Sequence, residues 1–330
     1  MSVEPLDVVG IGNAIVDVLS HSEDDFLAAR GLAKGAMILI DEPGADALYA
    51  DTGPGIECSG GSAANTVSGV AALGGRAGFV GKVKDDQLGQ VFRHDLQAQG
   101  VAFTTPAAAD GPSTARCLIL VTPDAQRTMN TYLGACIELG PEDVDADLIA
   151  GARITYLEGY LWDPSGAKAA FRKAMKLAHA AGAKVALTLS DSFCVDRWRL
   201  EFRDLVAHHV DILFANEAEI ISLYEAADFD AALQACRGDC EVVVLTRSAR
   251  GSVVLAGDEV HVIDAEPVAE VVDTTGAGDL YAAGFLHGLT TGRALHDCGR
   301  IGAICAAEVI SHVGARPEVP LDRLVTEKLR

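Results

Sequence analysis

Short apolar runs alternate with longer stretches whose apolar residues recur at three- and four-residue spacing, and this rhythm holds through most of the chain. The short runs predict strands at 8–12, 77–80, 154–158, 184–189, 211–214, 242–246 and 252–256. The longer stretches predict helices at 62–74, 86–99, 165–181, 216–225, 276–291 and 296–312. Strand, helix, strand in series implies an α/β fold, a mostly parallel central sheet covered by helices on both faces. Two regions, 14–59 and 102–135, break the rhythm. They read as extended pieces with turns, poor in long helical patterns, and include an alternating segment from Arg116 to Val121. The expected organisation is a large α/β domain from 1–13, 60–101 and 136–330, with a discontinuous, small β-rich domain from 14–59 and 102–135 standing on its edge.

The 330 residues suffice for roughly two domains, and 49% hydrophobic with 22% charged residues excludes disorder as the main state. Against 26 Lys and Arg stand 47 Asp and Glu, a net charge of -21. That balance argues against partners such as nucleic acid or an anionic membrane, which call for a surplus of basic residues. A phosphate-bearing ligand must then be met by a local arrangement. Glu4 and Asp7 stand where a secretory signal would be basic, and Gly10, Gly12 and Asp17 interrupt the apolar run, so no signal peptide is expected. No stretch reaches the roughly 20 apolar residues of a membrane span. Eight cysteines form no C-x-x-C pair, and Cys236 and Cys240, one helical turn apart, lack the histidines of a zinc set. Buried free thiols in a reducing cytoplasm are the expectation.

The sharpest chemistry lies in Val272-Asp273-Thr274-Thr275-Gly276-Ala277-Gly278-Asp279, followed directly by an apolar helix. Glycines at 276 and 278 let successive N–H groups converge at a helix start, where the macrodipole adds positive charge, and such a turn cradles an anion. A carboxylate in that first turn repels a phosphate unless it has a task, and the natural one is to take the proton of an attacking hydroxyl. Asp279 could equally serve only to favour the helix N-terminus. Gly60-Gly61-Ser62-Ala63-Ala64-Asn65-Thr66 also leads into a helix. Its small residues permit close approach of a ligand, and Asn65 can donate to and accept from a sugar hydroxyl; the plainer reading is a positive-φ loop before a helix capped by Ser62. Asn216-Glu217-Ala218-Glu219 has the pattern of a capping box, with the alternative that Glu219 orients water on a magnesium ion. Gly10-Ile11-Gly12 lacks the third glycine of a dinucleotide fingerprint, since Ile15 stands there, and no Gly-Lys-Ser or Gly-Lys-Thr string of a P-loop occurs.

These segments occur together in the order of one family. Over essentially its whole length the chain resembles the ribokinase-like (phosphofructokinase B) carbohydrate and nucleoside kinases, through the stretch at 60–66, Asn-x-x-Glu at 216–219 and Asp273 to Asp279. Within that family the stretches 12–17, 26–32, 210–219 and 314–320 look most like adenosine kinases, whereas sugar kinases more often carry another polar or acidic residue where Asn13 stands. The resemblance implies ATP-dependent transfer of a phosphoryl group to a primary hydroxyl, the 5′-hydroxyl for a nucleoside. It makes Asp279 the base and Gly276, Ala277 and Gly278 the anion hole, with Arg127 reaching phosphate from a lid formed by the β-rich insert. Asp17, Gly60, Gly61 and Asn65 would hold the ribose with Asn13 beside them. Asn216, Thr246, Gly251 and Thr275 would meet ATP, with Glu219 acting on Mg2+ through water.

The chain departs from the family at two places. Thr246-Arg247-Ser248-Ala249-Arg250-Gly251 has Ser248 where the family places a glycine, which makes Thr246 and Gly251 the firmer nucleotide contacts. Gly159 is followed by Tyr160, Leu161 and Trp162 rather than by Phe-Phe, leaving Tyr160, Trp162 and Phe193 as the aromatic residues on which a base could stack and keeping inosine and guanosine beside adenosine. The Asp273-Thr274-Thr275-Gly276 form of the loop resembles that of sugar kinases and leaves K+ open as a further cofactor. A ribose or fructose kinase is the nearest alternative, a nucleoside-binding protein without turnover is another, and an oxidoreductase is distant. Monomer and homodimer both remain open.

Overall fold

A computed structural model describes residues 5–124 and 126–330; positions 1–4 of the expected large domain, Glu4 among them, and position 125 of the expected small one lie outside them. Fourteen strands are present among the described residues: β1 (Leu6–Ile11), β2 (Ile15–His21), β3 (Met37–Leu39), β4 (Gly55–Gly60), β5 (Ala77–Val80), β6 (Ala102–Phe103), β7 (Ala115–Val121), β8 (Arg127–Tyr132), β9 (Ala152–Glu158), β10 (Lys184–Thr188), β11 (Ile212–Asn216), β12 (Val242–Thr246), β13 (Ser252–Ala256) and β14 (Glu259–Ile263).

Nine of them form one sheet in the order β14-β13-β12-β11-β10-β9-β1-β5-β6. It is parallel from β12 to β6, and β13 and β14 run antiparallel on its far edge. Parallel strands buried on both faces need apolar residues at successive positions. Within β1, Val8 faces the side covered by the helices Ser62–Ala72, Ala277–Thr290 and Leu295–Val309, while Val9 and Ile11 face the helices Ser165–Ala180 and Ser192–His208. The result is the α/β architecture, a mostly parallel sheet covered by helices on both faces, that the apolar rhythm leads one to expect.

A second, five-stranded sheet has the order β3-β8-β7-β2-β4. One face, with Val16, Val18, Leu118 and Leu120, packs on Phe92 and Leu96 of the helix Gln87–Ala98. The other presents Asp17 between its in-register neighbours Cys58 and Cys117. Its strands come from the two irregular regions, which are less uniformly extended than expected. The helices Asp24–Ala29 and Glu42–Asp51 interrupt the first, and β6, at the start of the second, joins the large sheet instead.

The 17-residue helix Ser192–His208 was not among the expected elements. Trp198 leaves helical geometry in its middle (φ -122°, ψ 23°), yet Cys194, Val195, Trp198, Phe202, Leu205 and Val206 still recur at three- and four-residue spacing and pack on one core, a stripe among many charged residues that the expected elements left out. Six of the eight cysteines are buried, and Cys58 and Cys240 are part-buried; all eight are free. Among the described residues no helix is long and apolar enough to cross a membrane.

Candidate active site

The carboxyl ends of β1, β9, β10, β11 and β12 open on one side of the large sheet, the side on which ligands of open parallel sheets bind. The helix Ala277–Thr290 starts there from Gly276, which adopts φ 79° and would place a Cβ 2.7 Å from the Cβ of Ala315. A Cβ built on Gly278 meets nothing within 4 Å. The helix start is thus both left-handed and open above its backbone, as an anion cradle requires.

Asp279 stands one residue on, half-buried. Its Oδ1 accepts a hydrogen bond from Ser62 Oγ (2.6 Å) and its Oδ2 one from Asn65 Nδ2 (2.9 Å). Desolvation raises its pKa, opposed by these two donors and by the Arg316 guanidinium. Ser62, read from sequence as a helix cap, does not cap. Gly61 holds that place at φ 93°, and its missing Cβ would lie 2.3 Å from the carbonyl oxygen of Asn13. The carboxylate of Asp17 crosses over Gly60, where a Cβ would meet Oδ2 at 2.3 Å. Burial pushes Asp17 up to about 7, against the pull of Arg316 and Arg127. Asn13, Asp17, Gly60, Gly61 and Asn65 therefore come together around Asp279.

Arg127 projects from β8 to the anion loop. Its Nη1 pairs with Asp273 Oδ2 at 2.6 Å and lies 3.3 Å from Thr275 Oγ1, while its buried Nη2 has no partner among the described residues. Asp273 also accepts from Thr275 N (3.0 Å), Thr275 Oγ1 (2.8 Å) and Gly314 N (3.0 Å).

On the other flank, Asn216 and Thr246 are register partners on β11 and β12. Asn216 and Glu219 form a capping box: Glu219 accepts from Asn216 N (2.9 Å) and Nδ2 (2.6 Å), and Glu219 N donates to Asn216 Oδ1 (2.9 Å). Burial raises Glu219 to about 7. In the loop beyond Thr246, Arg247 N donates to Gly251 O at 2.7 Å, and Ser248 adopts φ 51°, a conformation that glycine holds more easily. Gly251, at φ 75°, would place a Cβ 2.0 Å from Ile263 O, so no side chain fits.

Tyr160 and Phe193 follow β9 and β10. Their ring centroids lie 6.2 Å apart, and each remains open to solvent, 37% and 42%. Trp162 is different. It is fully buried against Phe171 and Phe202 with its Nε1 on Glu201 (2.9 Å), so it belongs to the core and is not a surface for a base.

Two further groups border the site without having been singled out. Glu158, which ends β9 and is 1% exposed, accepts from Asn13 Nδ2 (2.6 Å) and Ala63 N (2.8 Å), and burial raises it to about 7. A carboxylate directly after the apolar pair Tyr156 and Leu157 at the strand's end was the signal for it. Arg316 lies in the 314–320 stretch noted for its resemblance and there had no role attached.

The pfkB family carbohydrate kinase profile matches residues 57–322. The solved structure of adenosine kinase from Sinorhizobium meliloti is 52% identical, covering 99% of this chain and 100% of that one, with a TM-score of 0.91. The probable sugar kinase protein from Rhizobium etli CFN 42 is 50% identical over 99% of both chains, with a TM-score of 0.92. Fructokinase of Salmonella typhimurium is 26% identical over 291 residues, 84% of this chain and 94% of its own.

Proposed function

Since this chain belongs to the pfkB family of carbohydrate kinases, whose chemistry is ATP-dependent phosphoryl transfer, we propose that its acceptor is the 5′-hydroxyl of a purine nucleoside, adenosine foremost. The observation that carries the nucleoside is the pair Tyr160 and Phe193, two aromatic rings left part-exposed at strand ends beside the carboxylates, where a purine can stack. The 52% identity to a protein described as adenosine kinase supports it.

In this reading Asp17, Asn13 and Asn65 fix the ribose hydroxyls, and Gly60 and Gly61 let the sugar approach the backbone. Asp279, oriented by Ser62 and Asn65, takes the proton of the 5′-hydroxyl as that oxygen attacks phosphorus. The N–H groups at 276–278 hold the charge of the transferring group, and the unspent Nη2 of Arg127 reaches it from the small sheet. The small sheet then serves as a lid whose closure keeps water from Asp279 and so limits ATP hydrolysis.

Magnesium on the nucleotide phosphates would neutralise charge during transfer. Glu219 fits a role through water, because each of its oxygens accepts one bond from Asn216 and keeps a second lone pair. Potassium does not fit beside Asp273 as arranged. Both its oxygens are taken, and Arg127 supplies the positive charge there.

A coupled ADP-release assay with adenosine, inosine, guanosine, ribose and fructose tests the proposal. A nucleoside is expected to give the highest kcat/KM. Ribose or fructose turned over as efficiently as every nucleoside would transfer the reading to a sugar kinase, and no ADP release with any acceptor would make the chain a binding protein.

A further inference from the structure

The stretch 314–316 touches both glycine-rich loops of the site. Gly314 N donates to Asp273 Oδ2 (3.0 Å), and Ala315 packs so closely on Gly276 that no side chain would fit between them. Arg316 turns the other way. Its Nη1 donates to Ala64 O (2.9 Å), and its Nη2 donates to Ser59 O and Ser59 Oγ (both 2.8 Å). These are the two ends of the turn that contains Gly60 and Gly61. Ser59 is held in turn by Asp95 from the helix Gln87–Ala98, which accepts from Ser59 N at 2.8 Å.

We propose that Arg316 is a positioning residue for phosphoryl transfer, a clamp that fixes the acceptor loop at a set distance from the anion loop. The proposal rests on the kinase reading above. One planar guanidinium bridges Ser59 and Ala64, and Ala64 is flanked by Asn65, which orients Asp279. Loosening the clamp therefore displaces the acceptor hydroxyl and the base together. A lysine retains the charge but presents a single ammonium in place of the planar fork, so it cannot reproduce both contacts.

Arg316 also acts on Asp279 through its charge. The groups facing Asp279 are Asp17 from β2, Tyr156 and Glu158 from β9, Tyr160 beyond β9, and Arg316. Arg316 is the one cation in that group and favours the ionised base. Arg316 itself is faced by Asp95, Cys58, Asp17 and Asp279.

The test compares Arg316→Lys and Arg316→Gln with the wild-type chain, using whichever of the five acceptors the wild type turns over. Both variants are expected to raise acceptor KM about tenfold or more and to release more ADP per phosphorylated acceptor, as misplacement of a reacting group predicts. Only Arg316→Gln should also move the acid limb of kcat to higher pH, because only it removes the charge. Wild-type KM, coupling and pH profile in folded variants, with at most a lower Tm, would overturn the proposal. Should Arg316→Gln not fold, Arg316→Lys decides on KM and coupling. A wild-type chain that turns over none of the five acceptors defeats the kinase reading instead, and hydrogen exchange then judges the clamp alone. Faster exchange at amides 60–66 in Arg316→Lys supports it, and unchanged exchange refutes it.

Discussion

Replacing Asp279 with Asn separates chemistry from architecture, because the structure indicates how the amide would be accommodated. Asp279 receives two hydrogen bonds, from Ser62 Oγ and Asn65 Nδ2. An asparagine can turn its oxygen to Asn65 and donate its NH2 to Ser62, whose hydroxyl accepts as readily as it donates. Neither partner is orphaned, so the substitution should cost the fold less than about 1 kcal/mol. Desolvation raises the pKa of Asp279, so its ionised form is disfavoured in the folded chain and an amide relieves that cost. The variant should then be at least as stable as the wild type on the alkaline side, where the wild-type carboxylate is charged. Turnover should behave in the opposite way. Loss of a general base lowers kcat by about 100- to 10,000-fold, equivalent to about 3 to 5 kcal/mol of barrier. Nucleotide affinity should hold or improve once a negative charge leaves the cradle. The assay is steady-state ADP release together with thermal melts at pH 6 and pH 8. Turnover within a few-fold of wild type in the folded variant would refute the assignment, and loss of activity in step with lost stability would return Asp279 to a helix-start role.

Three other outcomes are expected. Glu219→Gln keeps an acceptor for Asn216 N but turns its NH2 toward the donor Asn216 Nδ2, so it should lose one hydrogen bond, about 1 kcal/mol, and the Mg2+ concentration for half-maximal rate should rise as well; a lower Tm with an unchanged Mg2+ requirement would leave Glu219 a cap alone. Phe193→Ala should erode the preference for nucleoside over free ribose, which a stacking contribution of about 1 to 3 kcal/mol sets at roughly 5- to 150-fold in kcat/KM, and should spare slow ribose turnover; an intact preference would remove Phe193 from the base site. Asp17, Glu158 and Glu219 are each raised to about 7, so the folded chain holds their protons more tightly than the unfolded chain does. Their stabilising effect is full below pH 4 and is lost as pH climbs to about 7, which predicts a Tm that falls across that window and falls less steeply in Glu158→Gln; an identical slope in that variant would contradict the burial argument.

What the sequence made legible follows from the range of each interaction. The strands expected at 77–80, 242–246 and 252–256 occur with those bounds, because fully buried strands must be apolar at consecutive positions. β14 carries Glu259, Val260 and His261 on an exposed edge and has no such signature. Glycine positions in the site were equally plain, since Gly61 and Gly276 need positive φ whatever surrounds them. Partners distant in sequence were not. Nothing local tells Arg127 that it will meet Asp273, or separates Trp162 from Tyr160 two positions earlier; the first depends on how two sheets face each other, the second on which side of a 3-10 turn meets Phe171 and Phe202.

The bonds from Ser62 and Asn65 to Asp279 span 217 and 214 residues, and Asn13 reaches Glu158 across 145. A chain emerging from the ribosome thus carries the residues of the acceptor loop long before it carries the proposed base or the arginine that holds that loop. With the proposed roles of Asp279 and Arg316, a fragment that lacks them, or has not yet packed them on the 59–65 segment, has no means of spending nucleotide on water. Recovery of activity during refolding should accordingly trail the recovery of secondary structure, and catalytic competence becomes a signature of the finished polypeptide that no partly made copy can imitate.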